Sequence, residues 1–287
     1  MDKSQSLHIL HLLYHYTKSS EKIKSILHHF FAPSIFWRKG GMSMPHLWSL
    51  GTSPSHAYAC QLLQRSDFLI EKEWTAETLG VLLDIPSFRD SARDWTSLFS
   101  QLKPGTRVFG GNLGNRVPSH LAQFDLLQDP EYTCRNADIT ARCAIRLACG
   151  NLTKTLRGLP VLVIGWGRIG KSLAMLLESL GADCRVFARK ESDRAMLNAL
   201  GYHAVDRKQM LALLPETELV LNTAPEPVID SQSAKRCPGL LMDLASSPGI
   251  DGENVLRARG LPGKIAPESS GELIAKTVMR LWEENEQ

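Results

Sequence analysis

The chain of 287 residues has no apolar run as long as the ~18 residues that a membrane-spanning helix needs. It also has no secretory signal, because the first residues lack a basic start, an uninterrupted apolar stretch and a small-residue cleavage site. These absences argue against a membrane protein, and we predict a cytoplasmic location.

Cysteine pairs are also missing. The six cysteines form no CxxC motif, and several lie inside apolar patterns, which is typical of reduced, buried thiols rather than of a disulfide framework. His8, His11 and His15 share a predicted helix face, but no carboxylate or cysteine accompanies them at a useful spacing. We therefore predict no metal site.

An excess of positive charge occurs only at the start of the chain. Residues 1–40 have six Lys or Arg and two acids, a net charge of +4, so the remainder has −1 of the total of +3. Such a near-neutral body lacks the basic face that binds nucleic acid. We interpret residues 1–40 as an extension, either poorly ordered or a docking helix.

The pattern that is present centres on residues 160–190. An apolar strand at 161–164 runs directly into the glycine-rich sequence GWGRIG at 165–170, then into a helical apolar pattern and a second strand at 184–188. This order is the βαβ fingerprint of a dinucleotide-binding unit. The predicted cofactor contacts here are Gly165, Gly167, Arg168, Ile169 and Gly170.

Each glycine of this fingerprint has a separate physical role. Gly165 makes the tight turn, Gly167 allows the backbone to approach a pyrophosphate, and Gly170 allows the helix to pack closely on the strand. The start of the helix then offers free N–H groups and about half a positive charge to the phosphates.

The end of the second strand indicates which nicotinamide cofactor binds. An NAD-binding unit usually has Asp or Glu there for the ribose 2′-hydroxyl. This chain has Arg189 and Lys190 instead, and no acid from 185 to 190. Two cations suit a 2′-phosphate, so we predict NADP(H), with NAD(H) as the alternative.

Two later strands end in polar or small residues. Predicted strands at 219–222 and 240–244 lead into the segments NTAP and DLASSPG. Open parallel sheets bind ligands beyond the carboxyl ends of their strands. We therefore expect Thr223, Ala224 and Pro225 beside the cofactor, and Asp243 either as a turn residue or as a catalytic candidate.

Alternating strand and helix patterns predict an α/β protein with two doubly wound parallel-sheet domains, the second of Rossmann type. Residues 41–135 form a small first domain in this prediction, and residues 136–287 form a linking helix followed by the dinucleotide-binding domain. The linking helix covers 136–150, capped by Asn136 or Asp138, and the last helix covers 271–284.

Seven segments, spread over about residues 47–280, resemble the A subunit of dipicolinate synthase from spore-forming bacteria. They are GTRVFGGNLG at 105–114, NADITARCAI at 136–145, VIGWGRIGKSLA at 163–174, LGADCRVFAR at 180–189, LNTAP at 221–225, MDLASSPG at 242–249 and LPGKIAP at 261–267. The last two are much more specific than the glycine fingerprint. Two departures are Arg142-Cys143, where the family commonly has Glu-Gly, and Ile250 in place of a second glycine.

The resemblance implies a two-domain protein that works with a flavoprotein-like B subunit during sporulation. Together they would form dipicolinate from a dihydrodipicolinate-level precursor, with a nicotinamide cofactor as redox partner. A planar dicarboxylate needs two separated anchors. The start of the linking helix, with Asn136 and Thr140, is one candidate, Lys264 is the other, and Arg142 could add a third positive group.

Other hypotheses remain open at this point. A conventional 2-hydroxyacid dehydrogenase would need an Arg and a His–carboxylate pair, yet no histidine lies in a strand-end loop of the second predicted domain. A different NADP-dependent oxidoreductase of the same fold, or a non-catalytic nucleotide-binding scaffold, fits better. Lys264 is the other catalytic candidate, and the pattern leaves the oligomeric state open.

Overall fold

All strands run parallel to their neighbours, in two separate sheets, in the computed structural model, which describes residues 44–285. The predicted α/β class with two parallel sheets is confirmed. The predicted extension at 1–40, including His8, His11 and His15, lies outside the described residues.

The first sheet has five strands in the order β2-β1-β3-β4-β5. Its elements and the helix that leaves it are β1 (His46–Ser49), α1 (Pro54–Arg65), β2 (Leu69–Glu71), β3 (Gly80–Leu82), α2 (Trp95–Ser100), β4 (Arg107–Gly110), β5 (Ala122–Asp125) and α3 (Pro130–Asn151). The strand order reverses between β1 and β3, where the connections leave the sheet in opposite directions.

The second sheet has six strands in the order β8-β7-β6-β9-β10-β11. Its elements are β6 (Pro160–Ile164), α4 (Arg168–Ser179), β7 (Asp183–Phe187), α5 (Glu191–Ala199), β8 (His203–Val205), α6 (Arg207–Leu213), β9 (Leu219–Asn222), α7 (Ser231–Ala234), β10 (Leu240–Asp243) and β11 (Val255–Arg257), followed by α8 (Leu261–Ile265) and α9 (Pro267–Glu284). Counted from β6, this is the 3-2-1-4-5-6 order of a Rossmann sheet, with its switch point between β6 and β9.

The central strands of the second sheet are buried on both faces, as their continuous apolar runs predict. Val161 and Val163 join the core under α3 and α4, whereas Leu162 and Ile164 join the core on the opposite face. Because side chains alternate along a strand, one apolar run supplies both cores.

The linking helix begins earlier than predicted. Asp129 is the N-cap, and its Oδ1 accepts a hydrogen bond of 2.7 Å from the N–H of Tyr132. Asp followed by Pro130 is a stronger start signal than either predicted cap, because Asp accepts from the first turn and Pro at the first position loses no hydrogen bond. The prediction that Asn136 or Asp138 caps this helix is therefore wrong.

Other element boundaries also differ from prediction. The strand predicted at 240–244 ends at Asp243, and the last helix starts at Pro267 instead of Gly271. Three short strands, β5, β8 and β11, were not predicted. None of these three strands has the continuous apolar run that identifies β6, β9 and β10.

The last helix packs on the first sheet, although the prediction grouped it with the second. Trp282 of α9 is 2% exposed and contacts Phe109 of β4 and Phe68, with ring centroids 5.9 and 5.3 Å apart. Arg280 of the same helix donates to Asp129 at 2.6 Å, which ties α9 to the start of α3. The chain thus leaves the first sheet through α3 and returns to it through α9. The predicted domain limits at 40/41 and 135/136 remain a proposal. In that proposal α9 now belongs to the first domain, because it packs on the first sheet.

Among the described residues, no helix is both long enough and apolar enough to cross a membrane.

The contact between α9 and α1 gives a stability prediction. A Cβ at Gly271 would lie 2.5 Å from the Ser55 carbonyl oxygen and 3.0 Å from the Ala59 nitrogen, whereas a Cβ at Gly263 would meet only Ser55 Oγ, at 3.6 Å. We expect Gly271→Ala to lower the free energy of unfolding by about 1–2 kcal/mol, because overpacking outweighs the ~1 kcal/mol gain in helix propensity.

Gly263→Ala is the matched control, since its new methyl group makes ordinary contacts. Urea denaturation should show it to be neutral or slightly stabilising. Equal stability of the two variants would contradict close packing of α9 on α1.

Candidate nucleotide-binding site

A cavity of about 440 Å³ lies at the carboxyl ends of β6, β7 and β9. This is the switch point of the second sheet, where open parallel sheets bind their ligands. The cavity is lined by Gly165, Trp166, Gly167, Phe187, Ala188, Arg189, Lys190, Asp193, Arg194, Arg207, Thr223, Ala224, Pro225, Glu226, Pro227 and Val228.

The glycine turn forms one wall of this cavity, and its three glycines differ in the space around them. Gly165 has φ +106°, which side-chain-bearing residues rarely adopt, and a Cβ there would lie 2.5 Å from Thr223 Oγ1. A Cβ at Gly170 would lie 2.1 Å from the Gly165 carbonyl oxygen. A Cβ at Gly167 would meet no described atom within 4 Å, so the space beside this residue is open to a ligand.

Helix α4 starts directly at the cavity. Gly167 is its N-cap and provides no side-chain hydrogen bond to the first turn. A helix start that carries partial positive charge and has no side-chain cap favours an anionic partner. Together with the open space at Gly167, this arrangement suits a pyrophosphate.

The rim of the cavity carries both charges. Arg189, after β7, donates to Glu226, after β9, at 2.5 Å. Arg194 donates to the carbonyl oxygens of Ala188 and Arg189, at 2.9 and 2.7 Å, and so braces the turn after β7. Lys190 and Arg207 make no ion pair within the part of the chain that the structure describes.

The loop after β9 is fixed by hydrogen bonds to the neighbouring strands. Thr223 donates from both its N–H and its Oγ1 to the carbonyl oxygen of Ile164, at 2.8 and 2.9 Å. Fully buried Asn222 donates to the Ala224 carbonyl oxygen and to Asp243 Oδ1. These bonds hold Thr223 and Ala224 beside the glycine turn.

Asp243 braces the loop after β10. It is 1% exposed, and it accepts hydrogen bonds from the N–H of Gly249 at 2.8 Å and from Arg257 at 2.6 Å. Burial alone would raise the pKa of Asp243, but the hydrogen bonds, led by those from Gly249 and Asn222, hold it below its usual value. Both carboxylate oxygens are thus engaged by the chain itself, and a catalytic role for Asp243 remains a prediction.

The predicted carboxylate anchor at the start of the linking helix is not a helix terminus. Asn136 and Thr140 lie inside α3, and Thr140 Oγ1 donates to the Asn136 carbonyl oxygen at 2.7 Å. Arg142 is exposed and forms an ion pair with Asp138 at 2.8 Å. Mid-helix amide groups are already bonded within the helix, so the N–H anchor expected at Asn136 does not exist.

Lys264 is exposed in helix α8, the short element between the second sheet and α9. Gly263 beside it faces Ser55 of α1, and Arg146 of α3 donates to the Ile265 carbonyl oxygen at 3.2 Å. This segment is therefore a helical turn near the meeting point of α1, α3 and α9. The structure brings Lys264 to the junction between the sheets.

A polar cluster that the sequence prediction missed lies at the switch point of the first sheet. Asp84 accepts from the N–H of Thr52 at 2.8 Å and from Ser53 Oγ at 2.6 Å, at the start of α1. His56, which is 3% exposed, bonds through Nε2 to Ser49 Oγ at 2.7 Å. Burial would raise the pKa of Asp84 but these donors lower it, and burial lowers the pKa of His56 despite Asp84, so Asp84 is charged and His56 neutral at pH 7.

Seven of the ten predicted cofactor residues line the cavity, and Arg168, Ile169 and Gly170 lie next to it at the start of α4. Arg207 and Glu226 were missed. Arg207 follows the unpredicted strand β8, whereas Glu226 follows NTAP directly and was within reach of a strand-end argument.

No family model matches the chain. A curated relative, the A subunit of dipicolinate synthase from Bacillus subtilis (strain 168), is 28% identical over 169 residues, which cover 55% of this chain and 57% of the relative. The chain resembles the A subunit of dipicolinate synthase. The matched segment spans little more than half the length of this curated relative.

Solved structures of dipicolinate synthase A subunits share the fold of this chain. The dipicolinate synthase A subunit from Bacillus halodurans has a TM-score of 0.71 at 20% identity, over 84% of this chain and 99% of that chain. Its counterpart from Bacillus subtilis has a TM-score of 0.68 at 19% identity, over 85% and 97%. An L-alanine dehydrogenase has a TM-score of 0.58 at 10% identity, over 81% and 79%. The fold is thus one that oxidoreductases use, and the sequence resemblance is confirmed.

The spaces around the glycines lead to a second stability prediction. We expect Gly170→Ala to lower the free energy of unfolding by about 2–3 kcal/mol, because the new methyl group overlaps the Gly165 carbonyl oxygen. Gly167→Val should cost at most about 1 kcal/mol, the loss of a favourable N-cap residue. Thermal unfolding followed by circular dichroism measures both, and a larger loss for Gly167→Val would contradict the open space at this glycine.

Proposed function

We propose that the chain binds a nicotinamide dinucleotide, preferably NADP(H), in the cavity at the switch point of the second sheet. We also propose that it is a subunit of an oxidoreductase, with the role that the A subunit has in dipicolinate synthase. The observation that carries the proposal is the glycine turn that leads into a helix without a side-chain cap, beside a cavity on whose rim basic side chains outnumber acidic ones.

The residues around the cavity fit this cofactor. Gly167 leaves the space that a pyrophosphate requires, and the first turn of α4, with Arg168, Ile169 and Gly170, supplies N–H donors. Arg189 and Lys190 would hold the 2′-phosphate, and Thr223, Ala224 and Pro225 would border the nicotinamide ribose. When bound, the cofactor supplies hydride-transfer chemistry, and the protein positions it and excludes water.

The substrate in this proposal is a small dicarboxylate, for which Lys264 is the positioned cation. The relative is one of several subunits of its enzyme, and we propose a flavoprotein-like B subunit as the partner of this chain. Dipicolinate formation from a dihydrodipicolinate-level precursor during sporulation is the specific reaction, and the cytoplasm is the expected location.

A second candidate is a different oxidoreductase, or a non-catalytic scaffold, of the same fold. The ion pair between Arg142 and Asp138 and the internal hydrogen bond of Thr140 favour it, because they remove two of the expected substrate anchors. Turnover of a dihydrodipicolinate-level precursor, followed by dipicolinate absorbance, distinguishes these functions. The chain should be assayed alone and after co-expression with a candidate flavoprotein-like B subunit.

The cofactor preference is tested at Arg189. We expect the unmodified chain to bind NADPH more tightly than NADH, and Arg189→Asp to reverse or erase that preference, because a charge-assisted phosphate contact contributes about 1.5–3 kcal/mol. Isothermal titration calorimetry with both cofactors measures the two affinities.

Arg236→Asp is the matched control. Arg236 is exposed and precedes β10 of the second sheet, but it does not line the cavity. It should leave both affinities unchanged. Titration curves that coincide for NADPH and NADH on the unmodified chain would refute the NADP preference, and retained binding by folded Gly167→Val would exclude this cavity as the cofactor site.

The substrate anchor is tested at Lys264. We expect Lys264→Ala to weaken dipicolinate binding about tenfold in the presence of NADP(H), the effect of losing ~1.4 kcal/mol from one charged contact. Lys276→Ala removes an exposed lysine that pairs with Glu272 on α9 and serves as the control. An unchanged dicarboxylate affinity in Lys264→Ala would place the substrate elsewhere.

A further inference from the structure

The ion pair between Arg189 and Glu226 connects the two loops that flank the glycine turn. Arg189 follows β7 and Glu226 follows β9, while β6 lies between these strands in the sheet. The 2.5 Å contact therefore links the rims on either side of the carboxyl end of β6, and both side chains line the cavity. Both are also well exposed, at 71% and 60%, so a ligand can reach them.

Glu226 pairs with Arg189, which is the cation that the sequence assigns to the 2′-phosphate. In the structure, the guanidinium of Arg189 already has a carboxylate partner. A 2′-phosphate that binds Arg189 must take the place of this carboxylate or lie beside it, and two like charges at that distance repel each other. A 2′-hydroxyl carries no charge and meets no such repulsion.

The other charged side chains do not remove this competition. Arg194 donates to two backbone carbonyl oxygens and so braces the turn. Asp193 adds a second acid to the cavity lining, whereas Lys190 and Arg207 supply cations with no ion-pair partner among the described residues. Cations sufficient for a 2′-phosphate are present, but the central one is shared with Glu226.

We propose that Glu226 is a specificity-determining residue that competes with the 2′-phosphate of NADP(H) for Arg189 and thereby narrows the preference for NADP(H) over NAD(H). This inference rests on the proposed function, because it assumes that a nicotinamide dinucleotide binds in the cavity. Arg189 exchanges its carboxylate partner for the phosphate when NADP(H) binds, and keeps it when NAD(H) binds.

The test is calorimetric titration of NADPH and NADH into the unmodified chain and into Glu226→Gln, which keeps the shape of the side chain and removes its charge. Glu216→Gln is the matched control. Glu216 is also exposed, but it precedes β9 and therefore lies at the amino ends of the strands of the second sheet, away from the cavity. Thermal unfolding of each variant verifies that the fold is intact.

We expect Glu226→Gln to tighten NADPH binding at least about fivefold, equivalent to about 1 kcal/mol, and to change NADH binding less than about twofold, within the range of surface effects. Glu216→Gln should change neither affinity. The gain should also shrink in about 0.5 M salt, because exposed charges are screened at such ionic strength. An unchanged NADPH affinity, an equal gain for both cofactors, or a loss confined to NADH would each overturn the proposal.

A double-mutant cycle separates competition for Arg189 from simple repulsion. In an Arg189→Gln background, the gain from Glu226→Gln should fall to less than half. A gain of the same size would overturn the exchange of partners. If the unmodified chain bound neither cofactor, the proposed function would fail together with this inference. Binding of both with an unaltered preference in Glu226→Gln would refute this inference alone.

Discussion

The return of α9 to the first sheet is the interaction on which the arrangement of the two sheets depends. Gly80 of β3 has no side chain, and Trp282 fills the space beside it together with Leu47. Arg107 of β4 donates to the Trp282 carbonyl oxygen at 3.1 Å, and its guanidinium lies 4.3 Å from the Trp282 ring centroid. Since the chain must cross from the second sheet to reach this place, α3 and α8 are held at the junction, and Lys264 with them.

The candidate site depends on close packing around its glycines and on hydrogen bonds between its loops. Gly170 lets α4 start against the Gly165 carbonyl oxygen, and Thr223 closes the other side of the turn through Ile164. Buried Asn222 then connects this turn to Asp243 and so to the loop after β10. A series of hydrogen bonds therefore connects the loops that follow β6, β9 and β10.

The sequence predicted the four central strands of the second sheet, β7-β6-β9-β10, but missed its outer strands β8 and β11. Strands such as β6 and β9 are continuous apolar runs, and the glycines after β6 have the spacing that identifies the turn. In the first sheet, β5 and the polar cluster of Asp84 and His56 depend on contacts between distant segments, which no local pattern reports. The predicted linking helix starts six residues late because its apolar face alone does not mark its beginning, whereas the Asp129-Pro130 pair does.

The charged pair at the cavity rim was missed for a related reason. The position of Arg189 after a strand predicts a phosphate contact, but a sequence does not show which acid from another loop will neutralise it. Glu226 reaches Arg189 only because β7 and β9 flank β6 in the sheet. Sheet order, and not residue type, decides that these side chains meet.

The position of Trp282 also has a consequence for the order in which the molecule is completed during synthesis. The strands that contact it, β3 and β4, leave the ribosome before the whole second sheet is made. Until α9 follows, the groove beside Gly80 lacks its aromatic filling, and the core around Leu47 has α1 but not the residues of α9. The first sheet is thus begun first and finished last, a long-range closure of the kind that slows folding and exposes nascent apolar surface to chaperones.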